Sequence, residues 1–167
     1  MLEGIIAATV GAFSAFVFNV LHLDSAERSK KIESLTSIVV NNIVELESKA
    51  VFYWLTRADS KTNELKLLEI ELKSRCFINQ KLIHNFLTTL PDSTPVATRI
   101  NLTEFAEEIF DLTTGGDFES AQRKEDPKLA HKLSRKCTTA RINLLNSINY
   151  YETKPFFKVI FNAIFRK

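Results

Sequence analysis

The most apolar part of the chain is residues 4–23, which read GIIAATVGAFSAFVFNVLHL and contain no charged side chain when His22 is neutral. A helix of this length extends about 30 Å, the thickness of the hydrocarbon core of a bilayer. A cleaved signal peptide would begin with basic residues, whereas Glu3 is the only charged side chain before the run. The pattern predicts a transmembrane anchor over residues 1–24. A signal peptide and a buried or interfacial helix are the alternatives.

Charged residues on the two sides of this anchor predict its orientation. The N-terminal side has only Glu3, whereas Arg28, Lys30 and Lys31 follow the apolar run closely. Because basic residues near a span favour the cytoplasmic side, the rest of the chain is expected in the cytoplasm. The predicted location is the bacterial inner membrane, with a single pass and a cytoplasmic C-terminal domain.

Small residues recur every four positions in the anchor and therefore share one helix face. Such a face allows two helix backbones to approach closely in lipid, and an amide side chain nearby can add a hydrogen bond between helices. This pattern predicts a homo-oligomer whose seam is formed by Ala7, Gly11, Ala15 and Asn19. The alternative is that small residues are simply common in membrane spans.

Beyond the anchor, apolar residues recur at steps of three and four, which is typical of amphipathic helices. The first pattern is interrupted at residues 59–62, and a second ends at Pro91 and Pro95. A shorter helix is expected from Asn101, and a last one over residues 128–151. The chain is thus predicted to be all-α, with one N-terminal transmembrane helix followed by a cytoplasmic antiparallel helical bundle.

The predicted bundle occupies residues 25–152, and its core is expected where the apolar stripes meet. The expected core positions are Ile32, Leu35, Val39, Ile43, Leu46, Ala50, Tyr53, Leu65, Leu68, Leu72, Cys76, Asn79, Leu82, Ile83, Phe86, Leu90, Phe105, Ile109, Leu112, Leu129, Leu133, Cys137, Ala140, Leu144, Leu145 and Ile148.

Residues 153–167 form a separate predicted unit, an amphipathic aromatic and basic C-terminal helix that is too short to span a bilayer. A helix of this composition can lie among the headgroups of an anionic leaflet, or it can pack against the bundle or a partner. The residues expected at the membrane surface are Phe156, Phe157, Ile160, Phe161, Ile164 and Phe165.

Composition narrows the function classes. The 22 basic and 20 acidic side chains give a net charge of only +2, which argues against nucleic acid as a partner. The two cysteines, Cys76 and Cys137, are far apart and lack metal-site spacing, so buried thiols are the favoured interpretation. His22, His84 and His131 lie on separate predicted elements. No catalytic residue, metal ligand or cofactor is therefore predicted.

One loop contains the sequence Gly115-Gly116-Asp117-Phe118, which superficially resembles the Gly-Gly-Asp-Glu-Phe signature of diguanylate cyclases. That signature works on a β-hairpin, whereas the flanks here are helical, so the match is rejected. Glycine freedom and capping by aspartate explain the residues more simply. A speculative alternative is an anion or nucleotide site, because backbone amides can cradle an anion. Its residues would be Gly115, Gly116, Asp117, Arg123 and Lys124.

The segment FDLTTGGDFES at residues 110–120, together with the N-terminal span, resembles uncharacterised bacterial single-span membrane proteins. This resemblance implies no established activity. The leading hypothesis is a non-enzymatic inner-membrane protein that self-associates and acts through assembly or partner contacts. One version is a defence-type or toxin-like membrane effector. Expected partners are membrane lipid, further copies of the chain and the product of an adjacent gene.

Two other function classes remain open at this point. The first is a membrane-anchored sensor that binds an anionic small ligand or nucleotide at the Gly115-Gly116 loop. The second is an enzyme that uses His84 or His131 with acidic neighbours.

Overall fold

Four α-helices form the part of the chain that the structure, a computed structural model, describes. The backbone is described for residues 2–58, 63–90 and 94–152, and the side chains from residue 15 to 148 of these ranges apart from 21, 24 and 25. The helices are α1 (Leu2–Leu55), α2 (Asn63–Thr89), α3 (Val96–Thr114) and α4 (Pro127–Glu152). All regular secondary structure in these ranges is helical, so the predicted all-α fold is confirmed.

The helices form an antiparallel bundle in the order of the chain. Lys49 of α1 binds Glu71 of α2 at 2.7 Å, while the earlier Asn42 accepts a hydrogen bond from the later Asn79 at 3.4 Å. Residue numbers therefore rise in α1 as they fall in α2. Each helix packs against its neighbours along the chain, and α1 packs against α4, which closes the bundle.

Buried side chains recur in alternating steps of three and four on every helix. This 3.5-residue period keeps one face of each helix towards the bundle axis, as in coiled coils and four-helix bundles. The buried positions of this repeat are Ile32, Thr36, Val39, Ile43, Leu46, Ala50, Tyr53, Leu65, Glu69, Leu72, Cys76, Asn79, Ile83, Phe86, Leu90, Leu102, Phe105, Ile109, Leu112, Ala130, Leu133, Cys137, Ala140, Leu144 and Ser147.

Most of the expected core residues are buried, but the buried positions of the repeat differ from the expected core at several places. Leu35 is only partly buried, and Thr36 takes the core position beside it, with its hydroxyl donating to the Ile32 carbonyl at 2.8 Å. Glu69 is buried next to the partly buried Leu68. Leu145 is exposed. Where either of two adjacent residues could occupy a core position, the direction of the bundle axis determines which one faces inwards.

Helix boundaries differ from the sequence prediction in two places. α1 runs through residues 24–27 without a break, across the predicted boundary between the anchor and the bundle. Neither glycine nor proline occurs between residues 12 and 55, so nothing in the backbone forces a break there. α3 begins at Val96, five residues before Asn101, directly after Pro95. Proline is well tolerated at the start of a helix because its missing N–H group is not needed there.

Within the part of the chain that the structure describes, no helix is both long and apolar enough to cross a membrane. The side chains of residues 1–14, including Ala7 and Gly11 of the predicted seam, are not among those described. The predicted surface residues of the C-terminal segment 153–167 also lie outside it, namely Phe156, Phe157, Ile160, Phe161, Ile164 and Phe165.

Candidate functional site

The loop between α3 and α4 closes one end of the bundle. Its backbone is tied to the end of α1 by two hydrogen bonds, from the Ala58 amide to the Arg123 carbonyl at 3.2 Å and from the Asp126 amide to the Trp54 carbonyl at 2.8 Å. The Asp126 carboxylate also accepts from the Leu129 amide at 2.9 Å, which satisfies a donor in the first turn of α4. These hydrogen bonds therefore fix the loop to the helices.

Arg123 anchors this loop in the core. Its side chain is 2% exposed, and its guanidinium lies 3.7 Å from the ring centre of Tyr53 and 5.6 Å from that of Trp54. Nη1 donates to the Tyr53 carbonyl, while Nε and Nη2 have no hydrogen-bond partner among the described residues. The faces of aromatic rings attract a cation, so stacking offsets part of the cost of burying this charge.

Tyr53 links the loop to α2. Its hydroxyl donates to the Glu69 carboxylate at 3.0 Å and accepts a hydrogen bond from the Glu119 amide at 2.9 Å. Burial raises the pKa of Tyr53 to about 12, so the hydroxyl remains a donor at physiological pH. Glu119 has a φ of 62°, a left-handed conformation that few non-glycine residues adopt. The hydrogen bond from its amide to the Tyr53 hydroxyl and its ion pair with Lys73 at 2.8 Å help to hold Glu119 in this conformation.

Trp54 and Phe118 complete the packing at this end. The Trp54 indole donates to the Thr113 carbonyl at 3.1 Å, which ties α1 to the end of α3. The Phe118 ring lies 4.9 Å from that of Tyr53 and 6.4 Å from that of Trp54. We call Tyr53, Trp54, Glu69, Phe118 and Arg123 the cap cluster. Its contacts join α1, α2, the end of α3 and the loop that follows α3.

The five residues of the speculative anion site do not converge. Arg123 belongs to the cap cluster, with its guanidinium stacked on the core aromatics. Asp117 and Lys124 are exposed, and neither lines the groove that the two glycines face. Only Gly115 and Gly116 face a common space, a groove between α3 and α4 of about 480 Å³. The groove is lined by Glu108, Asp111, Leu112, Gly115, Gly116, Leu129, Lys132 and Lys136.

The charges of this groove come in opposed pairs. Glu108 of α3 and Lys136 of α4 form an ion pair at 2.6 Å. One helical turn nearer to the glycines, Asp111 and Lys132 also line the groove, and their side chains form no ion pair among the described residues. Carboxylates thus lie on the α3 side and ammonium groups on the α4 side. Such lining suits a zwitterion better than a phosphate, which the carboxylates would repel.

The two glycines are required by the end of α3. The Gly115 amide donates to the Asp111 carbonyl at 2.8 Å, and a Cβ at Gly115 would lie only 2.5 Å from the same carbonyl oxygen. Gly116 has a φ of +63° with open space around it. Overcrowding therefore restricts position 115, whereas only backbone conformation restricts position 116. The conformational role that the sequence suggested for both glycines therefore applies to Gly116, whereas Gly115 is required by the nearby Asp111 carbonyl.

We expect Gly115→Ala to lower the free energy of unfolding by about 2 kcal/mol, because the last turn of α3 must shift to accept the methyl group. Gly116→Ala should cost about 1 kcal/mol, and Gly116→Asn less, since asparagine tolerates the left-handed region better than alanine. Denaturant unfolding followed by circular dichroism would give these values. A Gly115→Ala variant as stable as the parent would contradict the steric interpretation.

Cys76 and Cys137 are free thiols in the core, as the sequence suggested. Burial raises the pKa of Cys76 to about 11 and that of Cys137 to about 12. Because the thiolate is the reactive form, we expect both to react at least ~100-fold more slowly at pH 8 in the folded protein than after denaturation. A colorimetric thiol reagent would measure this. Rapid modification of the folded protein would contradict the assignment.

Histidines take no part in these clusters. His84 and His131 are exposed on α2 and α4, and Arg135 is exposed on α4. In the described ranges, no three His, Cys, Asp or Glu side chains are grouped to hold a metal ion. The two histidines and Arg135 therefore contribute no side chain to the cap cluster or to the groove.

A run of exposed apolar residues lies in the described segment of α1 at residues 15–23. Phe16 is 65% exposed and Leu23 62%, and Ala15 and Asn19 are exposed as well. Val17, Phe18 and Val20 are also exposed. Among the described side chains of α1, Ile32 is the first that is buried, so this apolar segment precedes the bundle on the same continuous helix.

Comparisons with known proteins add no identification, since no family model, curated protein or solved structure matches this chain. The resemblance to bacterial single-span membrane proteins stays a prediction from the sequence.

Proposed function

We propose that this protein is a membrane-anchored helical bundle that self-associates and acts through assembly or partner contacts. The observation that carries the proposal is the exposed apolar segment of α1, residues 15–23, on a helix that continues without interruption into the bundle. Residues 4–14, which precede it, are also uncharged in sequence. Together they provide the length that a bilayer requires.

The free energy of burial supports lipid as the environment of this segment. Burying a Phe, Leu or Val side chain is worth about 1.5–3 kcal/mol, and five large apolar residues are exposed among the described side chains of residues 15–23. A helix satisfies its backbone hydrogen bonds internally, so it can enter lipid without leaving polar groups unpaired. Arg28, Lys30 and Lys31 lie on the bundle side of the segment, which favours a cytoplasmic bundle.

We expect the full-length protein to sediment with membranes and to resist extraction by alkaline carbonate, while detergent releases it. Replacing Val10 and Val17 with arginine should reduce the membrane fraction strongly, because each arginine in mid-bilayer costs about 2.5–3.5 kcal/mol. Replacing the exposed bundle residues Ser48 and Thr138 with arginine provides a matched charge control. Recovery of the parent protein in the supernatant without detergent would overturn the anchor.

The self-association part of the proposal rests on the face shared by Ala7, Gly11, Ala15 and Asn19. Ala15 and Asn19 are exposed and one helical turn apart, and the other two continue the same face along the helix. Replacing Gly11 with isoleucine should lower the mass of the native complex in detergent, since a branched side chain separates the backbones. Thr9→Ile, on the opposite face, is the matched control. An unchanged mass for the Gly11 variant would show that this face does not mediate self-association.

The toxin-like version of the proposal also requires the anchored protein to permeabilise a membrane. Vesicles loaded with a self-quenched dye should release it when the protein inserts, and the Gly11→Ile variant should release less. Intact vesicles would leave a scaffold or partner-binding role as the proposed function.

A second candidate function is favoured by the groove between α3 and α4. Its volume of about 480 Å³ is in the range of small-molecule sites, and Asp111 and Lys132 present opposite charges across an apolar floor of Leu112 and Leu129. A small zwitterion would satisfy both charges at once. Calorimetry with glycine betaine and free amino acids should then show heat that Asp111→Ala and Lys132→Ala abolish. No heat at millimolar concentration would remove this candidate.

A further inference from the structure

α1 carries a second repeat of positions on the side that faces away from the bundle core. Each of them lies five residues after a buried position of α1, which is about 140° further around the helix. Five of the six are exposed and one is partly buried. The six positions, which we call the outer face of α1, are Ser37, Asn41, Val44, Ser48, Val51 and Leu55. Their alternating steps of four and three match the spacing by which two long helices pair.

The outer face of α1 contains no charged residue, unlike the corresponding faces of the other helices. Five residues after a core position, each of those helices has an exposed charged side chain, namely Lys81 on α2, Glu107 on α3 and Arg135 on α4. Between residues 34 and 55, where every side chain is described, the one exposed charged residue is Glu45, which binds Arg75 of α2. Because charged residues are depleted in the buried centre of protein interfaces, the outer face is suited to contact with another chain.

The outer face of α1 lies on the same side of the helix as the predicted seam of the anchor. Asn19, Ser37 and Leu55 follow one another at intervals of 18 residues, which is about five full turns of an α-helix. All three side chains are exposed, and α1 is one continuous helix over Leu2–Leu55. A second copy that packs against Ala15 and Asn19 would therefore also lie along the outer face.

The charged residues between the seam and the outer face are complementary in a parallel pair of helices. Around the helix, Lys30 lies about 20° to one side of Ser37 and Glu33 about 40° to the other side. Both charged side chains are exposed. In a parallel pair with two-fold symmetry, each flank of one helix faces the opposite flank of the other. Lys30 of one copy would then lie beside Glu33 of the second copy.

The area of the outer face favours a second copy over an unrelated partner. A helix about 10 Å wide presents roughly 270 Å² between Ser37 and Leu55. A stable interface buries about 800 Å² on each partner. The whole side of α1 from Ala7 to Leu55 extends about 72 Å and presents roughly 700 Å². A second copy, which uses the seam and the outer face together, approaches the area that a stable interface requires.

On these grounds we propose that two copies of the chain pair in parallel along α1, with the outer faces of the two bundles in contact. The inference rests on the proposed self-association and deepens it by naming the interface between the bundles. Equivalent residues meet at the two-fold axis, so the Asn41 amides of the two copies can hydrogen-bond to each other, a pairing that fixes the register of two helices. α3 packs mainly on α2 and α4 and therefore lies on the far side of each bundle.

Cross-linking through introduced cysteines tests this pairing in the full-length protein in detergent. Ser37→Cys and Ser48→Cys place thiols on the outer face, while Ser74→Cys on α2 and Thr138→Cys on α4 are the matched exposed controls. The two native cysteines are buried and give little background reaction. With a short bis-maleimide, we expect the yield of dimer on a denaturing gel at positions 37 and 48 to exceed that at 74 and 138 by about fivefold or more, because paired thiols have a high effective concentration.

A pair of lysine substitutions tests whether the outer face itself makes the contact. Val44→Lys with Leu55→Lys should lower the cross-linking yield at position 37 by about threefold or more, because like charges would meet across the axis. Val44 and Leu55 are 41% and 48% exposed, and the control substitutions on α4, Ile142→Lys with Leu145→Lys, replace residues that are 52% and 50% exposed. Circular dichroism should show the same helix content in both variants. Neither pair should change the membrane fraction, which depends on the anchor.

The outcomes distinguish this pairing from the self-association on which it rests. A native complex of more than one chain, in which positions 37 and 48 cross-link no better than 74 and 138, would overturn the pairing along α1 while self-association stands. Cross-linking that the Val44→Lys and Leu55→Lys pair leaves unchanged would overturn it as well. A parent protein with the native mass of a single chain would overturn self-association itself.

Discussion

Replacing Trp54 with alanine is expected to lower the free energy of unfolding by about 3–5 kcal/mol. The indole is buried at the meeting point of α1, α3 and the loop, and its nitrogen donates to the Thr113 carbonyl at 3.1 Å. Truncation would leave a cavity beside Phe118 and an unpaired carbonyl. Both effects act in the same direction, because lost packing and a lost hydrogen bond each destabilise the folded state.

The neighbouring Phe52 provides a matched control within the same aromatic group. It is 62% exposed, so Phe52→Ala should change the free energy of unfolding by no more than about 0.5 kcal/mol. Trp54 is the only tryptophan, so tryptophan fluorescence cannot follow the unfolding of the Trp54→Ala variant. Guanidinium unfolding in detergent, followed by far-ultraviolet circular dichroism, suits both variants. Similar losses in the two variants would show that burial does not distinguish these adjacent rings.

Replacing Arg123 with alanine is the second large expected effect, a loss of about 3 kcal/mol. The change removes the stack on Tyr53 and Trp54 together with the hydrogen bond to the Tyr53 carbonyl. Arg123→Met should recover much of the stability, with a net loss of about 1 kcal/mol, since methionine keeps the volume and removes two buried donors without partners.

Arg135→Ala is the control for this pair, because Arg135 is an exposed arginine on α4 and should change stability by less than about 0.5 kcal/mol. Hydrogen exchange would localise the effect, with faster exchange expected in residues 115–126 of the alanine variant. A methionine variant as unstable as the alanine variant would indicate that the positive charge, rather than the packing of the side chain, holds the loop.

These two substitutions also bear on what the cap cluster can offer to a partner. The cluster holds the loop through contacts from α1 and α2, including the hydrogen bonds of Tyr53 to Glu69 and Glu119. A loop fixed in this way presents a constant surface at the end of the bundle away from α1's entry. If the proposed partner contacts use this surface, Arg123→Ala should weaken them without changing membrane attachment.

The sequence predicted the helices because their signals are local. A 3.5-residue repeat of apolar positions, scarce glycine and proline, and the prolines after α2 each act within a few residues of the chain. The left-handed conformation of Gly116 was predictable for the same reason, since it is a property of the residue itself, whereas the crowding of Gly115 by the Asp111 carbonyl is a contact that only the structure shows.

Other features depended on contacts between distant parts of the chain. Sequence alone did not choose Thr36 over Leu35 or Glu69 over Leu68 for the core, because each pair lies on adjacent positions and only the packing of four helices selects one. The burial of Arg123 had no local signal at all. A charged residue in a loop normally remains in water, and here the rings of Tyr53 and Trp54, about seventy residues earlier, provide the surroundings that retain it.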